Sequence, residues 1–145
     1  EEQIIYGTRV ASSLRMTIKD NVGNNLLDPN NPNSFDIDNI KIFYLINGKK
    51  NEYYEEHLHA PKGFKVIQDE FTFEYQFVIF LNNIKTEEFP ITYIQWNEND
   101  TDTIKALFKY YPNSSSIEQK KIWYNNEVIW DYEITNTNPF FELVK

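Results

Sequence analysis

The two histidines of the chain are the first residues whose types and spacing could do chemistry. His57 and His59 are the only histidines in the sequence, and Glu55 precedes them at the same spacing. Side chains two residues apart on a β-strand share a face, so these three could act together as zinc ligands. Residues 52–59 are strongly polar, however, and an exposed strand end has the same composition. A histidine metal site and a plain solvent-facing strand end are both open interpretations.

A second candidate site is the oxygen-rich segment NENDTDT, residues 97–103. Asn99, Asp100 and Asp102 could ligate Ca²⁺, which takes several oxygen ligands. The EF-hand pattern is not met, because the sixth position is not Gly and the twelfth is not Glu. A polar turn between two strands has the same composition, and we expect no tight metal site. A similar but weaker calcium candidate is the set of aspartates in the 28–39 loop: Asp28, Asp36 and Asp38.

No catalytic motif is visible in the sequence. The patterns G-x-S-x-G and H-E-x-x-H, the P-loop and the dinucleotide fingerprint do not occur. The neighbouring pairs Glu55-Glu56 and Glu87-Glu88 would point to opposite faces of strands. The chain has no Cys, which excludes disulfides, thiolate metal sites and Cys nucleophiles. We therefore predict no catalytic residues and no cofactor, with an enzyme lacking any recognisable motif as an alternative.

Aromatic residues make up 17% of the chain and suggest another kind of site. Exposed rings can stack on the apolar faces of sugars, and the candidate ligand-binding residues are Trp96, Trp130, Tyr53 and Tyr54. In a β-sandwich of this size, however, most Trp and Tyr side chains fill the core. The packing interpretation is the stronger one. It predicts that Trp123 is mostly buried and that Trp130 is partly buried.

Composition and charge define the class of protein. The chain of 145 residues has 17 Ile, 11 Phe and 10 Tyr, which favour strands, and 18 Asn, which favours turns. This bias predicts an all-β domain. The net charge of −8 repels phosphate backbones, so we expect no nucleic-acid partner. The longest apolar run, residues 77–81, is far too short to span a bilayer.

Alternating apolar and polar residues predict strands along most of the chain. Residues 13–20 and 89–96 show this period, and residues 70–83 are predicted to form one long strand. The segment 103–111 fits a helix or a strand, and we choose strand because its neighbours are strands. Ser115 and Glu118 match a capping box, so a short helix over 115–121 is an alternative to a strand there.

Two hairpins are predicted from their turns. Asn47-Gly48 is a strong type I′ signal that pairs Ile46 with Lys49 and Tyr44 with Asn51. Asn125-Asn126 is predicted to form a second two-residue loop, because Asn tolerates the left-handed region. The register expected for this second hairpin pairs Trp123 with Val128, Ile122 with Ile129, Lys121 with Trp130 and Lys120 with Asp131. It places Trp123 and Trp130 on the same face.

Two segments resemble a known family. Residues 16–49 contain a D-x-x-G-x-x-L-L turn, Asp20 to Leu27, and a strand that ends in Asn-Gly-Lys. Residues 97–130 contain a D-T-D-T-I strand start, Asp100 to Ile104, before a hairpin with a Tyr-Asn-Asn turn. Both resemble small secreted Bacteroidetes lipoproteins of unknown function. The resemblance implies a β-sandwich, a removed signal peptide, and a lipid anchor on a Cys upstream of Glu1.

These observations combine into one prediction. Residues 1–8 are expected to be a flexible leader, and residues 9–145 a single antiparallel β-sandwich of seven to nine strands, immunoglobulin-like or transthyretin-like. The chain is expected to be an exported, surface-anchored binding or interaction module without catalytic activity, located in the periplasm or at the outer-membrane surface. Its partner is an unknown protein or glycan. The alternative is a glycan-binding module that uses exposed aromatic residues.

Overall fold

The computed structural model describes residues 9–145 and confirms the all-β class. The predicted leader, residues 1–8, lies outside the described residues. The described residues form one 3₁₀ turn, Ile37–Asn39, and eleven strands, more than the seven to nine predicted. The strands are β1 Val10–Ala11, β2 Ser13–Lys19, β3 Lys41–Ile46, β4 Lys49–Glu52, β5 Phe64–Gln68, β6 Tyr75–Phe80, β7 Ile91–Asn97, β8 Asp100–Tyr111, β9 Ser116–Tyr124, β10 Glu127–Asp131 and β11 Phe140–Val144.

The strands form two sheets that face each other in an open sandwich. The larger sheet has the order β1-β9-β8-β7-β3-β4, with β10 also paired to β9, and the smaller has the order β11-β2-β6-β5. All pairs are antiparallel except β1 with β9 and β11 with β2, which are parallel. The predicted antiparallel pattern therefore holds for the hairpins and also for β2 with β6 and β3 with β7, which no hairpin links. It does not extend to β1 and β11, the strands at the two ends of the described chain.

The core lies between the inner faces of the two sheets. Leu14, Met16 and Ile18 of β2 alternate into it, as their period predicts, and all three are fully buried. Trp96 of β7 lies at its centre, with its ring 5.0 Å from the rings of both Phe35 and Phe77. Burying apolar side chains of this size is the main term that stabilises such a fold, at about 1.5–3 kcal/mol each.

The first hairpin has the predicted turn and register. Asn47 and Gly48 have φ values of 51° and 78°, which the type I′ loop requires. Tyr44 pairs with Asn51, and β3 pairs with β4 out to the turn. The segment 103–111 lies in β8, so the choice of a strand there is confirmed.

One predicted element is wrong, and one open alternative is resolved in favour of a strand. Residues 69–74 are not the start of a long strand but the turn between β5 and β6. The alternating Phe71 and Phe73 mimic a strand, whereas the Asp69 side chain accepts hydrogen bonds from following backbone amides and makes a turn there. The helix possible over 115–121 is absent, because β9 begins at Ser116 and pairs with β8 along its length. Pairing with a neighbouring strand overrides the local capping signal.

The last hairpin has the predicted turn but a different register beyond it. Asn125 and Asn126 have φ values of 47° and 71°, and Trp123 pairs with Val128 as expected. A bulge at Ile129 then shifts the pairing, so Trp130 lies opposite Ile122. One extra residue moves every later side chain to the other face of the strand.

This shift reverses the predicted burial of the two tryptophans. Trp130 points into the core with 6% exposure, and its indole N–H donates to the carbonyl of Thr137 at 3.1 Å. Trp123 lies on the outer face of the larger sheet and is only half-buried. The prediction that Trp123 is the more buried of the two is therefore wrong.

Candidate functional site

The histidines do not lie on a strand. Residues 53–63 form an irregular connection with turns, and both His57 and His59 are exposed there. The predicted shared strand face with Glu55 therefore does not form. Within residues 9–145, no three His, Asp or Glu side chains group closely enough to hold a metal ion.

The aspartates of the oxygen-rich segment belong to a buried polar network. Asp102 is 5% exposed, and its carboxylate accepts hydrogen bonds from Trp96 Nε1 at 2.8 Å, Tyr124 Oη at 2.6 Å and Asn125 Nδ2 at 3.0 Å. Lys145 Nζ lies 2.8 Å from Asp102 Oδ2. The buried indole N–H of Trp96 thus has a hydrogen-bond acceptor inside the protein.

Asp100 takes part in the same network from the surface. Both of its carboxylate oxygens accept from Lys145 Nζ, at 2.8 and 2.9 Å. Asn99 is exposed in the turn, where its backbone N–H donates to the side chain of Asn97. A lysine ammonium thus takes the position between Asp100 and Asp102 that a calcium ion would need. The weaker candidates Asp28, Asp36 and Asp38 lie in the 28–39 loop, where Asp28 and Asp36 accept from nearby backbone amides.

The electrostatics of the network follow from these contacts. Burial alone would raise the pKa of Asp102, but hydrogen bonds from Asn125, Lys145, Tyr124 and Trp96 outweigh burial and lower that pKa. Burial, together with the Asp102 carboxylate, raises the pKa of Tyr124 far above its usual range. The network therefore holds a charged Asp102 carboxylate and a neutral Tyr124 phenol. This combination favours a structural role, because the phenol donates its proton to the carboxylate in a hydrogen bond.

A cleft of about 490 Å³ opens at one end of the sandwich, and we call it the sheet-end cleft. Its apolar lining comes from Val10, Tyr44, Tyr53, Leu58, Phe80 and Leu81. Its polar lining comes from Ser12, Ser13, His59, Lys65 and Asn83. Mostly apolar walls with a few polar groups are the usual composition of a ligand pocket of this size.

Packing fixes the walls of the cleft. The Tyr44 and Tyr53 rings are 5.0 Å apart, and the Tyr44 hydroxyl donates to the Phe80 carbonyl at 2.7 Å. Burial raises the pKa of Tyr44 above its usual range, so this hydroxyl keeps its proton. The side chains of Tyr53 and Leu58 are left to meet a ligand. No Asp or Glu is among the described residues that line the cleft.

The sequence candidates thus divide between core and surface. Trp96 and Trp130 are buried and cannot form a sugar platform. Tyr53 and His59 line the sheet-end cleft, whereas Tyr54 is exposed beside it and His57 does not line it. Sequence reasoning missed Tyr44, Leu58 and Phe80, because the cleft joins segments far apart in the chain.

The outer face of the larger sheet carries a second group of aromatic residues. Tyr93 and Trp123 are half-buried there, each under a lysine: Lys50 Nζ is 4.4 Å from the Tyr93 ring centre, and Lys105 Nζ is 4.6 Å from that of Trp123. Lys121 is 5.3 Å from Trp123 on the same face. These five residues, with Phe43 beside Tyr93, form what we call the lysine–aromatic face. Its lysines are partly balanced, because Lys121 also pairs with Asp131 at 3.7 Å and Glu52 lies opposite Phe43.

Comparisons with protein families, with curated proteins and with solved structures find no match to this chain. Within the described residues, no helix is long and apolar enough to cross a membrane.

Proposed function

We propose that this protein is a non-catalytic binding module whose binding site is the sheet-end cleft. The observation that carries this proposal is the composition of the cleft, with aromatic and aliphatic walls, a few polar groups and no carboxylate among the described lining residues. The described lining residues include no carboxylate pair for hydrolytic chemistry, and none of them is an acid beside His59. The alternative of a motif-free enzyme has correspondingly less support than binding.

The cleft favours a ligand with an aromatic or aliphatic group. Tyr53 and Leu58 offer apolar contact at the mouth, while Asn83 and Lys65 can hydrogen-bond the polar part of a peptide or sugar. Such a division, with apolar contact for affinity and a few polar groups for orientation, is typical of specific pockets.

The test uses N-acetyl-phenylalaninamide as the probe and ¹H–¹⁵N NMR as the readout. We expect saturable shifts confined to the residues that line the cleft. Leu58→Glu should remove these shifts, because it places a charge in the apolar mouth. The matched control is Ile134→Ser, which changes an apolar residue that is 82% exposed and outside the cleft lining. Shifts spread evenly over the surface, or unchanged in Leu58→Glu, would contradict a binding cleft.

We further propose that the module is exported and lipid-anchored, in the periplasm or on the outer-membrane surface. Support comes from the resemblance of residues 16–49 and 97–130 to secreted lipoproteins. The test is the upstream gene sequence together with metabolic labelling by a fatty acid. A signal peptide with a lipobox Cys is the expected result, and an unlabelled protein that stays in the cytoplasm would contradict it.

A second candidate function is glycan binding on the lysine–aromatic face. The observation that favours it is the pairing of half-buried rings with lysines, which suits a glycan that carries carboxylates or sulfates. Polygalacturonate and dextran are a suitable pair of charged and neutral probes. Binding of the charged polymer alone, lost in Lys105→Ala and Trp123→Ala, would support this function. Equal binding by these variants would exclude this face.

A further inference from the structure

A polar groove lies on the other side of the strand segment that borders the sheet-end cleft. Side chains alternate along an extended chain, so Val10 and Ser12 face the cleft while Arg9 and Arg15 line two adjoining hollows. The hollows measure about 480 and 350 Å³. They form one groove, because four residues line both of them: Ala11, Gln119, Asn138 and Pro139. We call it the arginine groove, since the chain has two arginines and one of them lines each half.

Hydrogen bonds tie the two walls of the arginine groove together. Residues 9–15 form one wall, and β9 with the loop before β11 forms the other. The Arg9 amide donates to Ser116 Oγ at 2.8 Å, and the Arg15 amide donates to the Pro139 carbonyl at 3.3 Å. The indole N–H of Trp130 donates to the loop at the Thr137 carbonyl. The groove is therefore formed by segments whose relative positions are fixed.

Gln119 lies where the two halves of the groove meet, and one of its polar groups has no partner. The residue is 7% exposed, and its Oε1 accepts from the Ser13 amide at 3.0 Å. Its Nε2 makes no hydrogen bond to any residue within 9–145. Buried amide groups nearly always have hydrogen-bond partners in folded proteins. The free N–H donors of Gln119 thus point to an acceptor oxygen that a ligand supplies.

Positive charges exceed negative charges among the described residues that line the groove. Its cations are Arg9, Arg15 and Lys120, and its one acid is Glu118. Arg9 and Lys120 share that carboxylate, at 3.0 and 3.8 Å. Arg15 donates to the neutral side chain of Gln76 at 3.2 Å. The lining therefore has more cations than acids to balance them, which favours an anionic ligand.

The acids that flank the groove are paired or lie outside its described lining. Asp131 and Glu142 each pair with a lysine, at 3.7 and 3.2 Å. The charge of Arg15 also acts on Asp69, and Glu133 is exposed nearby, but neither of these acids is a lining residue. An anion in the groove therefore meets mainly cationic and amide groups.

The rest of the lining suits a sugar. Tyr132 in one half and Phe140 in the other are 41% and 46% exposed, and exposed rings pack on the apolar faces of sugars. The amide groups of Asn136 and Asn138 make no hydrogen bond to another residue in the described part of the chain. An amide side chain both donates and accepts, as sugar hydroxyls do. Rings and free amides together thus match a ring with hydroxyl groups.

The backbone of the groove does not favour a peptide. An extended peptide usually binds by adding a strand to a sheet edge whose main-chain groups are free. Here the amides of Arg9 and Ser13 already donate to the side chains of Ser116 and Gln119. The groove therefore offers mainly side chains to a ligand, and this arrangement favours a saccharide over a strand-forming peptide.

We propose that the arginine groove binds a linear oligosaccharide that carries carboxylates, of the uronic acid class. A guanidinium holds a carboxylate through two parallel hydrogen bonds, a role that suits Arg9 and Arg15. Gln119 Nε2 donates to a sugar oxygen between them. Six residues of extended chain span at most about 20 Å, so a ligand that reaches both arginines has several sugar units. This site is distinct from the lysine–aromatic face and does not depend on the function proposed for the sheet-end cleft.

The experiment is isothermal titration calorimetry with tetragalacturonate as the probe. Maltotetraose is the neutral sugar of the same length, and tetraglutamate is an acidic peptide. Gln119→Glu keeps an oxygen for the Ser13 amide but replaces the free donor by a carboxylate oxygen. Its control is Asn33→Asp, which adds the same charge at an exposed position outside the groove lining. Arg15→Gln removes a cation of the groove, and Lys85→Gln removes an exposed cation elsewhere.

We expect saturable binding of tetragalacturonate, with no binding of maltotetraose or tetraglutamate at the same concentrations. Gln119→Glu and Arg15→Gln should each weaken this binding by about tenfold or more, because each loses a charge-assisted or buried hydrogen bond to the ligand. Asn33→Asp and Lys85→Gln should bind as the unmodified protein does. Urea unfolding of every variant shows whether a loss of binding comes from a loss of folding, and the exposed Arg15 provides a test that does not alter a buried residue.

The inference is wrong if tetragalacturonate does not bind, or if both groove variants bind it as well as the unmodified protein does. Equal binding of maltotetraose would reject the role of the arginines, and equal binding of tetraglutamate would replace the saccharide by an acidic peptide. Binding that is lost only in Lys105→Ala and Trp123→Ala would move the site to the lysine–aromatic face. Shifts caused by N-acetyl-phenylalaninamide judge the sheet-end cleft separately.

Discussion

Lys145 Nζ lies 2.8 Å from Asp102 Oδ2 and joins the two sheets of the sandwich. Asp102 belongs to β8 of the larger sheet, whereas Lys145 directly follows β11 of the smaller sheet, and its amide donates to the Lys19 carbonyl of β2. A charged pair at the edge of the core is thus surrounded by the donors Trp96, Tyr124 and Asn125. The residues that suggest calcium in the sequence instead connect the two layers.

Replacing Asp102 by Asn should destabilise the fold by about 2–4 kcal/mol. The amide cannot accept from all four donors, and Lys145 loses one of its two anionic partners. Urea unfolding at pH 7 measures the change. Asp100→Asn is the matched control: its carboxylate is more exposed and contacts only Lys145 within this network, so its loss should cost less than about 1 kcal/mol. If both variants lost the same unfolding free energy, the burial of Asp102 would not explain its contribution to stability.

The same carboxylate should contribute to acid sensitivity. Because the pKa of Asp102 is lower in the folded protein than the value of about 3.9 in an unfolded chain, its stabilisation is present above pH 4 and is lost as the pH falls through the folded pKa. The difference in unfolding free energy between the unmodified protein and Asp102→Asn should therefore shrink from pH 7 to pH 3. A difference that stays constant over this range would contradict the lowered pKa.

The two turn asparagines should respond differently to Gly. Asn126 has a φ of 71° and needs only that conformation, so Asn126→Gly should be neutral or stabilising by a few tenths of a kcal/mol. The Asn125 side chain accepts from the Thr103 amide at 2.8 Å and donates to Asp102. Asn125→Gly should cost about 1–2 kcal/mol in urea unfolding. If both variants lost the same unfolding free energy, the side-chain hydrogen bonds of Asn125 would not distinguish it from Asn126.

Of the two hairpin tryptophans, Trp130 should matter more for stability. Trp130→Ala leaves a cavity in the core and should cost about 3–5 kcal/mol, while Trp123→Ala on the half-exposed outer face should cost about 1–2 kcal/mol. Thermal and urea unfolding of both variants measure the order. The reverse order would place the bulge at Ile129 in doubt, since that bulge is what turns Trp130 inward.

Calcium should have little effect on stability. The ammonium of Lys145 already pairs with both Asp100 and Asp102, and a calcium ion would have to displace it. Millimolar Ca²⁺ should change the melting temperature by no more than about two degrees, because a ligand stabilises a fold only by binding it preferentially. A saturable rise of more than about five degrees would point to a site at Asp100 and Asp102, and Asp100→Asn would then abolish it.

The sequence by itself determined the features that depend on neighbouring residues. The all-β class follows from the abundance of Ile, Tyr and Phe and from alternating segments such as Leu14, Met16 and Ile18. The two hairpin turns follow from Asn47-Gly48 and Asn125-Asn126, whose residues tolerate positive φ. These are local preferences of the backbone, and they do not depend on what packs against them.

The tertiary structure alone decided where the chemistry-bearing residues lie. The bulge at Ile129 exchanged the faces of Trp123 and Trp130, and the turn at Asp69 placed Phe71 and Phe73 in solvent although their alternation imitates a strand. The network at Asp102 needs Lys145, which lies far from it along the chain and in the other sheet's final segment. Contacts between distant segments depend on sheet order and register, because a shift by one residue changes the face of every later side chain, and local sequence does not encode them.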